Sequence, residues 1–104
     1  MCGATTGAVS LDGVDLSRQA VIQGVVVTGD GEPVGGAYVR LLDRDGEFAA
    51  EVPTSATGQF RFFAAEGSWT VRVLAPRAGR AERAVHARTG EVAEVSVALA
   101  PVGS

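Results

Sequence analysis

The chain has 104 residues, of which 46% are hydrophobic and 20% are charged, and its formal net charge is −3. This length suits one domain with one hydrophobic core, and the composition is too apolar for an intrinsically disordered chain. Proteins that bind nucleic acid neutralise phosphates with basic side chains, and this chain has a negative net charge, so we expect no nucleic-acid partner. No stretch approaches the roughly 20 apolar residues of a membrane-spanning helix, so we expect no membrane partner.

The first 18 residues are small and polar and follow no sustained period, which predicts a flexible N-terminal arm over residues 1–18. Their sequence, MCGATTGAVSLDGVDLSR, has no apolar core of the kind found in a secretory signal. We therefore expect a cytoplasmic protein, in which the single cysteine, Cys2, stays reduced. The folded domain is predicted to span residues 19–101.

Beyond the arm, short runs of alternating apolar residues are separated by clusters of Gly, Pro and Asp, which is typical of β-strands. Seven runs are predicted in chain order: AVIQGVVVT, AYVRLLD, a run through Phe48, Ala50 and Val52, FRFFAA, WTVRVLA, RAVHAR and VAEVSVALA. Seven short strands at this spacing indicate an all-β fold, a seven-stranded antiparallel β-sandwich.

Alternation along each run separates an inner face from an outer face. The inner residues, which we expect to form the core, are Ile22, Gly24, Val26, Ala37, Val39, Leu41, Phe60, Phe62, Trp69, Val71, Val73, Val95, Val97 and Leu99. The outer apolar residues are Val21, Val25, Val27, Tyr38, Leu42, Phe63 and Leu74. Because small monomers rarely expose so much apolar surface, this outer set predicts a docking site or a homodimer interface, with Val25, Val27, Phe63 and Leu74 as candidate contacts.

Two strings, VIQGVVVTGDGEPVGGAYVRLL and TSATGQFRFFAAEGSWTVRV, combine a strand with Ile22, Gly24 and Val26, a Pro-Val turn and a turn with Thr57, Gly58 and Phe60. This combination resembles the carboxypeptidase-regulatory-like and transthyretin-like β-sandwich modules. The residues agree with this resemblance, because Gly24 lies on the inner face of its run, where the absence of a side chain leaves room for a neighbouring large ring. The resemblance implies a scaffold and no particular reaction.

The MCG start and the string LLDRDGEFAAEVPTSATGQFRFFAAEGSWTVR resemble the small actinobacterial SseC-type proteins, whose function is undefined. That family is typically encoded beside a rhodanese-like thiosulfate sulfurtransferase. The resemblance therefore implies a role near sulfur transfer in the cytoplasm, with that sulfurtransferase as the partner.

Cys2 becomes the N-terminal residue once Met1 is removed. An α-amine with a reference pKa of about 7.7 to 8.0 then lies beside a thiol with a reference pKa of about 8.5, and its ammonium form favours the thiolate. Such an aminothiol can accept sulfane sulfur, chelate a soft metal or be oxidised. The alternative is an incidental residue in the arm.

Other candidate chemistry is limited. The lone histidine, His86, is expected on an outer face. Arg77, Arg80, Arg83 and Arg88 surround one loop and the strand after it, and they form either a patch for an anion or an acidic partner, or a solvated hairpin. The carboxylates of Asp43, Asp45, Glu47 and Glu51 do not match a calcium loop, so we expect no metal site and no cofactor.

Two functions remain open. The first is a non-enzymatic accessory protein that accepts sulfur on Cys2. The second is a plain β-sandwich interaction module in which Cys2 is incidental. An independent enzyme is the least favoured, because no recognisable pair of catalytic groups occurs in the sequence.

Overall fold

A computed structural model describes residues 19–76 and 78–100. These residues form seven strands: β1 (Ala20–Val27), β2 (Tyr38–Leu42), β3 (Phe48–Pro53), β4 (Gln59–Ala64), β5 (Gly67–Ala75), β6 (Gly79–Ala87) and β7 (Val92–Ala98). The predicted arm over residues 1–18 lies outside the described residues, as do Arg77 and residues 101–104.

The strands form two sheets that enclose one core. A three-stranded sheet has the order β4-β1-β7, and a four-stranded sheet has the order β3-β2-β5-β6. The predicted all-β sandwich is confirmed. One strand pair differs from the expected arrangement, because β1 and β7 run parallel. Strands joined by a short hairpin turn must run antiparallel. β1 and β7 are not consecutive in the chain, so no hairpin turn joins them and a parallel pairing is possible.

The inward phase of the strands forms the core as predicted. Its large, fully buried members include Ile22 and Val26 of β1, Val39 of β2, and Val71 and Val73 of β5. Phe60 and Phe62 of β4 are also buried, with ring centroids 6.1 Å apart. Each such side chain contributes about 1.5 to 3 kcal/mol through loss of contact with water, so this layer dominates the stability of the sandwich.

Two residues expected on the outer faces are buried instead, since Val21 is 0% exposed and Leu42 is 4% exposed. Both belong to strands with a neighbour on each side. Val21 lies in register between Phe63 of β4 and Val92 of β7, and Leu42 pairs with Phe48 of β3. Alternation along one strand does not reveal such neighbours on adjacent strands.

The sequence predicts Trp69 in the central core, and this prediction is wrong. Trp69 is partly buried and packs against the core from its margin. The indole Nε1–H donates a hydrogen bond to the backbone oxygen of Ala65 at 2.9 Å. A ring that must also satisfy a polar N–H is favoured at such a boundary, where the rest of its surface is still apolar.

Phe48 is 61% exposed, although it shares the alternating phase of Ala50 and Val52. The β2–β3 pair shifts register at this point, joining Leu41 to Ala50 and Leu42 to Phe48. The shift leaves one extra residue on β3, which is a β-bulge. The bulge turns Phe48 to the outer face.

Gly24 lies at the middle of β1, paired with Phe60 of β4 and Val95 of β7. A Cβ atom added to Gly24 would lie 1.7 Å from the carbonyl oxygen of Val95 and 3.1 Å from Cζ of Phe60. The expected contact with a large ring is therefore present, and the backbone of β7 is nearer still. A residue with a Cβ atom at this position would collide with the backbone of β7, so only glycine allows β7 and the Phe60 ring to lie this close to β1.

The turn between β4 and β5 is joined to the turn between β6 and β7. Glu66 Oε1 accepts a hydrogen bond from the backbone N–H of Thr89 at 3.0 Å. That bond lowers the pKa of Glu66 below its ordinary value, and the Thr89 side chain and the charges of His86 and Arg88 lower it further. The contact is therefore strongest while Glu66 is ionised.

Replacing Gly24 should destabilise the protein strongly. Gly24→Ala forces β7 away from β1, and we expect a loss of about 3 kcal/mol, near the upper end for overpacked cores. The melting temperature should fall by more than about 10 °C. Gly29→Ala is the matched control, because its nearest neighbour is a Leu99 oxygen at 4.0 Å. Equal melting temperatures for both variants would contradict the close approach at Gly24.

Acid should weaken the contact between Glu66 and Thr89. A carboxyl group with a lowered folded pKa stabilises the protein above its unfolded pKa, about 4.3, and loses this effect as pH falls through the folded value. We expect Glu66→Gln to melt slightly below wild type at neutral pH, with the difference disappearing in acid. Glu32→Gln, in another turn, is the control. A difference independent of pH would argue against an ionic contribution.

Candidate functional site

Two predicted site residues, Cys2 and Arg77, lie outside the described residues. The sulfur-acceptor role of Cys2 and the contribution of Arg77 to an arginine patch therefore stay predictions. The remaining candidates all lie on described strands or directly beside them.

The other three predicted arginines are exposed and spread along the edge strand β6. Arg80 pairs with Leu74, on the outer phase, whereas Arg83 pairs with Val71, on the inner phase. Arg88 follows the opposite end of the strand. Because successive side chains of a strand alternate between faces, Arg80 and Arg83 point to opposite sides. The structure does not bring these three side chains together.

The four candidate interface residues are divided between two faces. Val25, Val27 and Phe63 occupy the outer phase of the three-stranded sheet, and Leu74 occupies that of the four-stranded sheet. Phe63 is 47% exposed and Leu74 is 50% exposed, while both valines are half-buried. The exposed apolar residues thus form two separate areas rather than one.

A polar row crosses the outer face of the three-stranded sheet and consists of Arg61, Gln23 and Glu94. Arg61 Nε donates to Gln23 Oε1 at 3.0 Å, and Gln23 Nε2 donates to Glu94 Oε2 at 2.8 Å. The central amide therefore links a guanidinium on β4 to a carboxylate on β7. A row with both donors and acceptors can bind polar groups along its length.

An open groove of about 820 Å³ adjoins this polar row. Besides the row itself, the groove is lined by Gly24, Val25, Val52, Pro53, Thr54, Ser55, Gln59, Phe60, Val95 and Ser96. The missing side chain of Gly24 deepens the floor beside Phe60. An apolar floor with polar walls is typical of binding clefts.

A charged row crosses the outer face of the four-stranded sheet. Arg40 pairs with Glu51 at 3.1 Å, and Arg72 Nε donates to Glu82 Oε2. The Arg40 guanidinium also lies 5.4 Å from the centroid of the exposed Phe48 ring. Exposed ion pairs contribute only about 0 to 1 kcal/mol each, so this row affects surface character more than stability.

His86 lies on an outer face and is exposed, as predicted. It pairs with Ser68 on β5, and its electrostatic effect on Glu66 lowers the pKa of that carboxyl group. Over residues 19–76 and 78–100, no three or more His, Cys, Asp or Glu side chains are grouped so that they could hold a metal ion. The same residues contain no helix that is long and apolar enough to cross a membrane.

Sequence reasoning missed the polar row. Gln23, Arg61 and Glu94 each fall on the outward phase of their runs, so each one can be recognised as a surface residue. Their adjacency depends on strand order, and Gln23 and Glu94 are 71 positions apart. The polar row could have been predicted only with knowledge that β1 pairs with β7, because this pairing places Gln23 beside Glu94.

The fold is similar to domains in solved structures. The minor pilin of Streptococcus agalactiae aligns with a TM-score of 0.69 and 17% identity, over 84% of this chain and 46% of that chain. Catechol 1,2-dioxygenase from Pseudomonas arvilla C-1 aligns with a TM-score of 0.67 and 13% identity, over 89% and 55%. This chain spans about half the length of those proteins. At such identities the similarity concerns the fold alone.

Sequence relatives are much more similar. Two uncharacterised proteins of Mycobacterium tuberculosis are each 50% identical over 100 residues, covering 95% of this chain and 99% of their own. An uncharacterised protein of Mycolicibacterium smegmatis is 54% identical over 88 residues, covering 85% of this chain and 97% of its own. The family described as "Protein of unknown function (DUF1416)" matches residues 2–99. This chain therefore belongs to that family, DUF1416.

Proposed function

We propose that this protein is a non-enzymatic accessory protein of cytoplasmic sulfur metabolism, in which Cys2 accepts sulfane sulfur from a rhodanese-like thiosulfate sulfurtransferase. The observation that carries the proposal is the extent of the family match, which begins at residue 2. The match includes Cys2 and the whole stretch ahead of β1, so that stretch is shared with the family. The resemblance of the MCG start to SseC-type proteins supplies the class of partner.

The transfer requires no oxidant or reductant. The Cys2 thiolate attacks the outer sulfur of a cysteine persulfide on the partner, forming a bond between Sγ of Cys2 and that sulfur. The S–S bond of the donor breaks, and the partner's cysteine leaves as a thiolate that takes up the proton released from Cys2. The product is a persulfide on Cys2, and the thiolate form is required because it is the nucleophile.

The sandwich supplies a fixed base for the segment that carries Cys2. β1 begins at the buried Ala20 and is hydrogen-bonded between two strands. The Val21 N–H donates to the Glu91 oxygen at 3.0 Å, and the Gly90 N–H donates to the Gln19 oxygen at 3.0 Å. The chain is thus held from Gln19 onward.

A second candidate is an interaction module that works without Cys2. Tyr38 and Leu74 are each 50% exposed and are direct neighbours in register on the outer face of the four-stranded sheet. Adjacent exposed apolar side chains favour a protein contact, and a homodimer through this face is the simplest form. Both functions are compatible in one molecule, because the interaction module requires no chemistry at Cys2.

Sulfur transfer to Cys2 can be measured by intact mass. After incubation with thiosulfate and a catalytic amount of a rhodanese-like sulfurtransferase, the protein should gain the mass of one sulfur atom, and dithiothreitol should remove it. Cys2→Ser should show no gain, since it removes the only thiol. Ser10→Cys in the Cys2→Ser background is the matched control, because it carries one thiol without an adjacent α-amine and should gain sulfur more slowly.

The result that contradicts the sulfur-acceptor role is an unchanged mass of the wild type while the sulfurtransferase itself becomes persulfidated. Equal transfer to Ser10→Cys would show that any thiol in the segment suffices, and the specific role of Cys2 would be lost. The interaction module would then be the remaining function.

Self-association through Tyr38 and Leu74 can be measured by sedimentation. The wild type should sediment as a dimer at micromolar concentration, and Leu74→Glu should be monomeric because a charge is placed in the apolar contact. Ala84→Glu, an exposed position on the same outer face, is the control and should remain dimeric. A wild type that sediments as a monomer would exclude a homodimer that forms at micromolar concentration.

A further inference from the structure

The outer face of the three-stranded sheet has an apolar row beside the polar row. The apolar row consists of Phe63, Val21 and Val92, which are direct neighbours in register across β4, β1 and β7. Val21 is fully buried, whereas Phe63 is 47% exposed and Val92 is 39% exposed. Val25 lies on the far side of the polar row, beyond Gln23, and lines the groove. The face therefore carries exposed apolar surface on one side of the polar row and an open groove on the other.

No described strand lies over this face, because each of the seven strands belongs to one of the two sheets. The inner side of the three-stranded sheet packs on the core, so its outer side is left to solvent or to another segment. Exposed apolar area of this kind is stabilised when it is covered. An occupant of this face would remove the exposed parts of Phe63 and Val92 from water.

Chain connectivity identifies the nearest occupant. The segment ahead of Gln19 enters β1 at Ala20, directly beside the apolar row. A segment attached at that point has a millimolar effective concentration at the face, which exceeds the micromolar concentration of a second copy. An intramolecular contact is therefore favoured over self-association at this face.

The composition of that segment matches the face. Residues 9–16 read VSLDGVDL and contain four large apolar residues and two acidic ones. The apolar residues suit the row of Phe63, Val21 and Val92, and the aspartates suit the guanidinium of Arg61 in the adjacent polar row. The Glu94 carboxylate repels an acidic group at the β7 end of the polar row, so charge favours the β4 side.

We propose that residues 9–16 of this chain dock on the outer face of the three-stranded sheet, over the apolar row and along the β4 side of the groove. This inference goes beyond the proposed function and does not depend on sulfur chemistry. Docking at residue 9 leaves only residues 2–8 as a free extension, which spans at most about 25 Å. The reach of Cys2 is then limited to partners that bind near this face.

Cross-linking of the full chain tests the proposal. In a Cys2→Ser background, Leu11→Cys is combined with Phe63→Cys on the proposed docking face. The control combines Leu11→Cys with Ser68→Cys, which is exposed on the outer face of the other sheet near the same end of the sandwich. A short bismaleimide should join the first pair within one chain at least about fivefold faster than the control pair.

A third pair, Leu11→Cys with Gln59→Cys, examines the groove, because Gln59 is exposed and pairs with Val25. Its intrachain cross-linking should also exceed that of the control. Equal rates for all three pairs would mean that the segment moves freely, and the proposal would be wrong. A predominantly interchain product with Phe63→Cys would assign the face to a second copy and would also overturn the proposal.

Discussion

The close approach of β1 and β7 at Gly24 is the constraint on which the three-stranded sheet depends. The carbonyl oxygen of Val95 lies where a side chain on Gly24 would begin, and the Phe60 ring fills the adjacent space. A side chain here would separate the two strands and displace the ring from the core. The parallel β1–β7 pair, the polar row and the floor of the groove all require this spacing.

The same constraint determines what the surface presents. Because β1 lies between β4 and β7, residues from distant parts of the chain become neighbours on one face, and Gln23 links Arg61 to Glu94. The four-stranded sheet presents its own ion pairs and the exposed pair of Tyr38 and Leu74 on the opposite side. The sandwich thus has two outer faces with different chemistry, and the segment that carries Cys2 is attached beside one of them.

Alternation of apolar residues was sufficient to predict the seven strands and most of the core, because burial on one face of a strand requires period two. It failed at Val21 and Leu42, which are buried although they fall on the outward phase of their strands. It failed at Trp69 because the indole N–H needs a partner at the margin. The polar row could not be predicted, since strand order is a tertiary property that no local pattern in this chain encodes.

The parallel pairing of β1 with β7 also affects how the protein is made. Among the described strands, translation produces β1 first and its partner β7 last, and Gln23 and Glu94 are 71 positions apart. The nascent chain therefore carries a half-paired central strand through most of its synthesis. Contacts between distant positions form slowly, and unpaired strand edges attract other chains. Until β7 has been made, the β7 side of β1 is therefore an open edge that other chains and chaperones can reach.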